Sequence, residues 1–128
     1  MYVNIDSRQI LNINTETELQ QAIVKYLRDT DLLYVATLGE FQDSIYKRIE
    51  GFKMGYVKGS CDLLILTPCS GYNFLALELK APSGFGQLAN EQHNFLDVLS
   101  HECNAYCLVS NDYTEIIEII IKYINDML

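Results

Sequence analysis

Proline and glycine are scarce in this chain, two and seven among 128 residues. With 49% apolar residues, that scarcity excludes a collagen-like repeat or a low-complexity disordered segment and leaves a folded globule. Cysteine is scarce too. Cys61, Cys69, Cys103 and Cys107 are too few to staple a chain long enough to bury about two thirds of its unfolded surface. Their spacing lacks the two tight knuckles of a structural zinc site. Free thiols in an intracellular compartment are the expectation, and the opening MYVNIDSRQILNI has no basic tip followed by an apolar run, as a secretory signal would. Long hydrophobic runs are missing as well. The greasiest stretch, IIEIIIKYI at 116–124, is broken by Glu118 and Lys122 and falls far short of the ~20 residues that span a bilayer. Membrane insertion is excluded, and the length matches one domain over residues 1–128.

Positive charge is in short supply. Nine Lys and Arg face seventeen Asp and Glu, a net charge of −8, which excludes strong non-specific DNA binding through the chain as a whole. The deficit is uneven. Residues 1–45 carry −4, residues 60–90 carry −1 and residues 91–128 carry −6, whereas residues 46–59 carry Lys47, Arg48, Lys53 and Lys58 against Glu50, or +3. Tyr46, Phe52 and Tyr56 interleave with those cations, a pattern suited to phosphate contact with base or sugar stacking. One basic face, or divalent cations over an acidic centre, would let such a chain act on nucleic acid.

The periodicities predict the elements. Leu19, Ile23, Val24 and Leu27 form an apolar stripe behind a Thr15/Glu18 capping box, so a helix runs from Glu16 to Arg28. LLYVAT at 32–37 reads as a strand. Residues 38–59 read as a long ordered loop that can contain a helical turn. CDLLILTP at 61–68 reads as a buried strand, and Cys69-Ser70-Gly71 as a hairpin turn into a second strand ending at Lys80. In that strand Leu75, Leu77 and Leu79 face one way and Phe74, Ala76, Glu78 and Lys80 the other. Residues 83–86 read as a hinge into a helix carrying Leu88, Phe95, Leu96 and Leu99. AYCLVS at 105–110 is another strand, and Asp112 caps a last helix over 112–125 with Ile116, Ile117, Ile120, Ile121 and Ile124 on its apolar face. The fold class is α/β, a mixed central sheet flanked by helices.

Three residues carry chemistry. Asp62 opens one strand of the hairpin and Glu78 nearly ends its partner, so the two carboxylates converge across the ladder. Their repulsion raises a pKa unless a cation lies between them, and an all-oxygen site with open positions suits Mg²⁺ or Mn²⁺. The Leu79 carbonyl can add an oxygen. Lys80, on the same strand face, places an ammonium where it can orient an attacking water and offset charge on a phosphate. Glu18 has two readings, a further ligand or water-polarising group if its helix packs beside the hairpin, or the reciprocal partner of Thr15 in the cap. A solvated pair of strand-end carboxylates is the plainer alternative for Asp62 and Glu78.

Together, Glu18 with Gln21, the Gly55-x-x-x-Gly59-x-x-Asp62 run, Glu78-Leu79-Lys80 and Gln92 resemble the VRR-NUC branch of the PD-(D/E)xK nuclease superfamily. The resemblance spans about residues 15–109. It implies a restriction-endonuclease-like α-β-β-β-α-β core and metal-dependent hydrolysis of DNA. Asp62 and Glu78 would hold Mg²⁺ or Mn²⁺, Lys80 would assist the water, Glu18 would match the acidic position of the first helix and Gln92 the glutamine near the centre. Free-standing members, typical of phage and virus genomes, resemble Holliday-junction resolvases and tend to be homodimers. That implies branched DNA, such as four-way junctions or flaps, as substrate in repair or recombination. Lys47, Arg48, Lys53, Lys58 and Gln21 are the expected nucleic-acid contacts. Cys61 departs from the pattern, standing where a proline usually precedes the metal-binding Asp, a change of local geometry rather than of chemistry. The competing function is a binding module for nucleic acid or protein that keeps the nuclease fold with little catalysis.

Overall fold

The computed structural model describes residues 12–39, 44–83 and 87–128. Among the described residues eight elements follow in the order α1 Glu16–Arg28, β1 Tyr34–Ala36, α2 Ile45–Lys53, β2 Leu63–Ile65, β3 Phe74–Leu79, α3 Asn90–His101, β4 Ala105–Ser110 and α4 Tyr113–Ile124. The strands form one sheet in the order β1-β2-β3-β4. The first two pairings are antiparallel and β3 pairs with β4 in parallel, as a connection through α3 requires. The result is a mixed sheet flanked by helices, as the periodicities predict.

One face of the sheet holds the main core. Leu19, Ile23 and Leu27 of α1, Ile116, Ile117, Ile120 and Tyr123 of α4, and Leu75, Leu77 and Leu79 of β3 are all buried there with Leu63 and Ile65 of β2. Each such Leu or Ile contributes about 1.5–3 kcal/mol by leaving water. The opposite face is thinner, with Cys61, Ala76 and Leu96 buried among Leu64, Leu88, Phe95, Leu99 and Cys107 under α3. The period-two alternation of β3 therefore sorts its leucines to one face and Ala76 to the other.

Two expectations are corrected. The stretch 38–59 contains the nine-residue helix α2, with the Ser44 side chain accepting from the Lys47 N–H at 3.1 Å. It has no buried residue, so it shows no core-facing stripe, and its start is marked only by the cap. Its end is a Schellman motif: the Tyr56 N–H donates to the Gly51 carbonyl at 2.8 Å and the Gly55 N–H to that of Phe52 at 3.1 Å. Gly55 has a φ of 101°, which glycine accepts without strain. In α4 the seventh-residue position of the buried stripe belongs to Tyr123, while Ile121 is exposed. The hinge expected at 83–86 falls mostly on residues 84–86, outside the described residues.

The β2–β3 hairpin turns through Ser70 and Gly71, both at positive φ, 55° and 77°. This matches the right-handed twist of its strands. Tyr123 ties that hairpin to α4. Its hydroxyl donates to the Thr67 carbonyl at 2.7 Å and accepts from the Cys69 N–H at 3.1 Å. Tyr123→Phe leaves both backbone groups without that partner, and the expected loss is about 1–3 kcal/mol in urea unfolding. An unchanged midpoint would show that water replaces the hydroxyl.

Candidate active site

Strand register brings the candidate carboxylates together. Leu63 pairs with Leu77 at the end of the β2–β3 ladder, and Asp62, one residue further out, lies beside Glu78 in the same cleft. The Asp62 N–H donates to the Leu77 carbonyl at 3.0 Å, and its carboxylate accepts the Leu79 N–H at 2.6 Å. The Leu79 N–H is thereby engaged by Asp62. The strand start at Asp62 is held by Thr37, whose hydroxyl donates to the Cys61 carbonyl at 2.7 Å and whose N–H donates to the Asp62 carbonyl at 3.1 Å. These bonds fix the backbone beside Cys61. Its thiol is fully buried and pushed up to about 12, first by burial and then by the Glu78 and Asp62 charges, which leaves it a packing group rather than a thiolate.

Glu78 is 2% exposed. One of its oxygens, Oε2, accepts from Gln92 Nε2 at 3.0 Å and lies 3.7 Å from the Lys80 ammonium. The Gln92 carbonyl oxygen accepts from Lys80 Nζ at 3.3 Å and from the Ala89 N–H at 2.9 Å. The amide is oriented from both ends, and α3, which Ala89 cannot cap with a side chain, receives a reciprocal cap from Gln92. The other Glu78 oxygen, Oε1, is buried without a hydrogen-bond partner.

A cleft of about 230 Å³ opens here, lined by Glu16, Gly39, Tyr56, Gly59, Ser60, Asp62, Glu78 and Gln92. Gly59 has a φ of 87°, and a Cβ there would stand 2.6 Å from the Glu91 backbone. Only glycine lets this loop close on the first turn of α3. Lys80 touches Glu78 and Gln92 but is not among the lining residues.

Of the two readings of Glu18 the structure shows the cap, and another carboxylate of the first helix lines the cleft. Glu18 accepts the N–H groups of Asn14 and Thr15 at 2.9 and 3.1 Å, and its own N–H donates to Thr15 Oγ1 at 3.1 Å. A capping box folds the side chain back on its own helix, away from neighbouring elements. Glu16, two residues earlier, lines the cleft, and its charge adds to the upward push on Glu78. The Thr15/Glu18 spacing itself signals this, since it commits Glu18 to the cap. Gln21 lies elsewhere, in a groove with Thr17, Gln20, Val24, Arg28, Tyr34, Ala36 and Leu38. The cationic residues of the basic segment are exposed on α2 and the turn after it. Arg48 and Lys58 line a recess adjoining the cleft with Gly39, Phe52 and Tyr56, and Lys58 also pairs with Glu91 at 3.4 Å.

Among the described residues no three His, Cys, Asp or Glu side chains are grouped so as to hold a metal. Two carboxylates fit a different arrangement. Mg²⁺ is typically held by one or two protein carboxylates and completes its octahedron with water and substrate phosphate. The unpartnered Glu78 Oε1, beside Asp62 and a cleft that Glu16 also lines, fits that requirement. Burial first, and the Asp62 charge second, push the Glu78 carboxyl up to about 8, with Lys80 opposing. Without a cation, the pair keeps a proton at neutral pH.

That shift has a stability consequence. A carboxyl raised from 4.5 to about 8 makes the folded state bind more protons than the unfolded state between those values. Its stabilisation is complete below the lower value and is lost as pH rises through the upper one. In EDTA the urea midpoint is expected to fall from about pH 5 to about pH 8.5, with the fall much reduced in Glu78→Gln. A variant that keeps the full wild-type fall would assign it to other groups.

No protein-family model and no curated protein matches the chain. Among solved structures, one described as a VRR_NUC domain protein superposes with a TM-score of 0.69, covering 88% of this chain and 89% of that chain at 20% identity. At that identity the likeness is one of fold. The chain has an α/β core with a mixed central sheet flanked by helices, consistent with a restriction-endonuclease-like fold. No described helix is long and apolar enough to cross a membrane.

Proposed function

We propose that this protein is a metal-dependent DNA endonuclease acting at branched or otherwise irregular DNA. The observation that carries the reading is the buried pair Asp62 and Glu78, with an unpartnered carboxylate oxygen beside a cleft, on a fold shared with a VRR_NUC domain protein. Asp62 and Glu78 hold Mg²⁺ or Mn²⁺, and Glu16 rather than Glu18 is the further acidic group of the centre. When bound, the cation lowers the pKa of water and offsets charge on the phosphate under attack.

The chain's own groups set the geometry. Gln92 fixes the Glu78 carboxylate through Oε2, and the Asp62 carboxylate is fixed by the Leu79 N–H. Lys80, with its side chain 14% exposed beside Glu78, keeps a positive charge next to the cleft, where water screens it little. That charge favours the phosphate dianion-like state over the ground state. Arg48 and Lys58 line the recess that adjoins the cleft, and with Lys47 and Lys53 they serve substrate binding rather than the chemical step. Cutting both strands at one position needs two centres, so the working unit is a C₂ homodimer.

The test is a panel of labelled four-way junction, flap, splayed and linear duplex DNA in Mg²⁺, Mn²⁺ and EDTA. Asp62→Asn and Glu78→Gln are expected to abolish detectable cutting. Lys80→Ala is expected to slow it by roughly 10²–10³ with DNA affinity kept, and EDTA should stop it. A wild-type protein that binds the junction tightly and cuts nothing in either metal would replace this reading with that of a binding module.

A further inference from the structure

Two recesses share a wall. Gly39 and Tyr56 line both the carboxylate cleft and a neighbouring recess of about 370 Å³, whose other lining residues are Arg48, Phe52 and Lys58. That volume falls in the ~300–1,000 Å³ range of small-ligand pockets. The lining side chains are two aromatic rings and two cations, the chemistry of a planar π-system attached to an anion. Among the described residues no carboxylate or amide side chain lines it.

Tyr56 packs closely on Gly39 where the wall meets the cleft. Tyr56 is placed by the Schellman motif through its N–H to Gly51, and a Cβ on Gly39 would stand 2.6 Å from the Tyr56 hydroxyl. On the other side Phe52 is 78% exposed at the end of a helix without buried residues. A phenyl ring held in water at the mouth of a recess has no role in the core. Arg48, one helical turn before Phe52, forms no ion pair with any described residue. Lys58 shares its charge with Glu91 in an exposed pair, which solvent and salt weaken.

We propose that this recess is a base-accepting subsite for one unpaired nucleotide adjoining the scissile phosphate. The base lies against Phe52 and Tyr56, and Arg48 takes a phosphate of the same strand. A base inside a duplex has both faces covered by its neighbours and cannot enter without leaving the stack. A bulged, flap or splayed nucleotide enters at lower cost. Stacking tolerates any base, so selection is for the unpaired state rather than for sequence. This rests on the nuclease reading above, which it deepens by naming the structural feature that is recognised.

The experiment compares three labelled duplexes, one with a single unpaired adenine, one with an abasic residue at that position and one fully paired. Binding to the wild-type protein in EDTA is read by fluorescence anisotropy. The adenine duplex is expected to bind about tenfold more tightly than the abasic one, since both keep the phosphate and only one keeps the base. Phe52→Ala should abolish the difference and Phe52→Trp restore it, while circular dichroism stays unchanged because the ring is exposed. Equal affinity for adenine and abasic duplexes, binding to none of the three, or a difference that survives Phe52→Ala would overturn the subsite. Cleavage of the same DNAs in Mn²⁺ separates the two readings. Cutting without base discrimination removes the subsite and leaves the nuclease, and discrimination without cutting does the reverse.

Discussion

The hydrogen bond from the Leu79 N–H to the Asp62 carboxylate, 2.6 Å long and buried, fixes the geometry on which the site depends. It lies where the β2–β3 ladder ends, so it closes the ladder with a side chain instead of a carbonyl. The antiparallel register then leaves Glu78 no position except beside Asp62, and the period of two turns Glu78 toward α3 rather than into the leucine core. A one-residue slip would bury Leu77 under α3 and put Glu78 among the isoleucines of α4. The main core therefore enforces the site, because the same alternation that buries Leu75, Leu77 and Leu79 aims the carboxylate.

Two adjacent buried carboxylates are costly, and the surrounding residues partly offset that cost. Lys80 brings a positive charge, and Gln92 satisfies one Glu78 oxygen while capping α3. The other oxygen is left without a partner. Nature could have filled that corner with an apolar residue at a gain in stability, as buried ion pairs replaced by hydrophobic groups often show. A proton or a cation is the chemically available substitute, and the raised Glu78 pKa states the same fact from the side of the proton.

Most elements were legible because they bury something. Leu19, Ile23 and Leu27 mark α1, the alternating leucines mark β3, and the isoleucines mark α4, since burial writes a period into the sequence. Helix α2 buries nothing and wrote none. The carboxylate pair was legible because strand pairing across a short hairpin is close to forced. The first helix was harder. Glu16 and Glu18 are both acidic, and only the capping geometry, with Glu18 turned back to the N-cap, separates the residue of the helix end from the residue of the cleft. Gln21 lies in a different groove from the carboxylates, since one helix surface presents residues to more than one neighbour. The roles of Gly39, Tyr56 and Gly59 as cleft walls depend on where a loop closes, which no local pattern encodes.

Freedom from the core also bears on what α2 is for. A helix stabilised by packing must spend its apolar residues inward, whereas Ile45, Tyr46, Ile49 and Phe52 are all exposed. Its cap and its Schellman end stabilise it locally, but such contributions are small and a short isolated helix is marginal in water. Its composition is thus set by its surface, which carries Lys47, Arg48 and Lys53 in a chain of net charge −8. An acidic protein meets a polyanion productively only through a face of opposite sign, since repulsion elsewhere turns away other orientations. Concentrating the cations on a helix beside the cleft makes the approach directional. On the proposed nuclease reading, the remaining negative charge would act against non-specific binding along DNA, and contact would be kept for a substrate that can reach the rings as well as the cations.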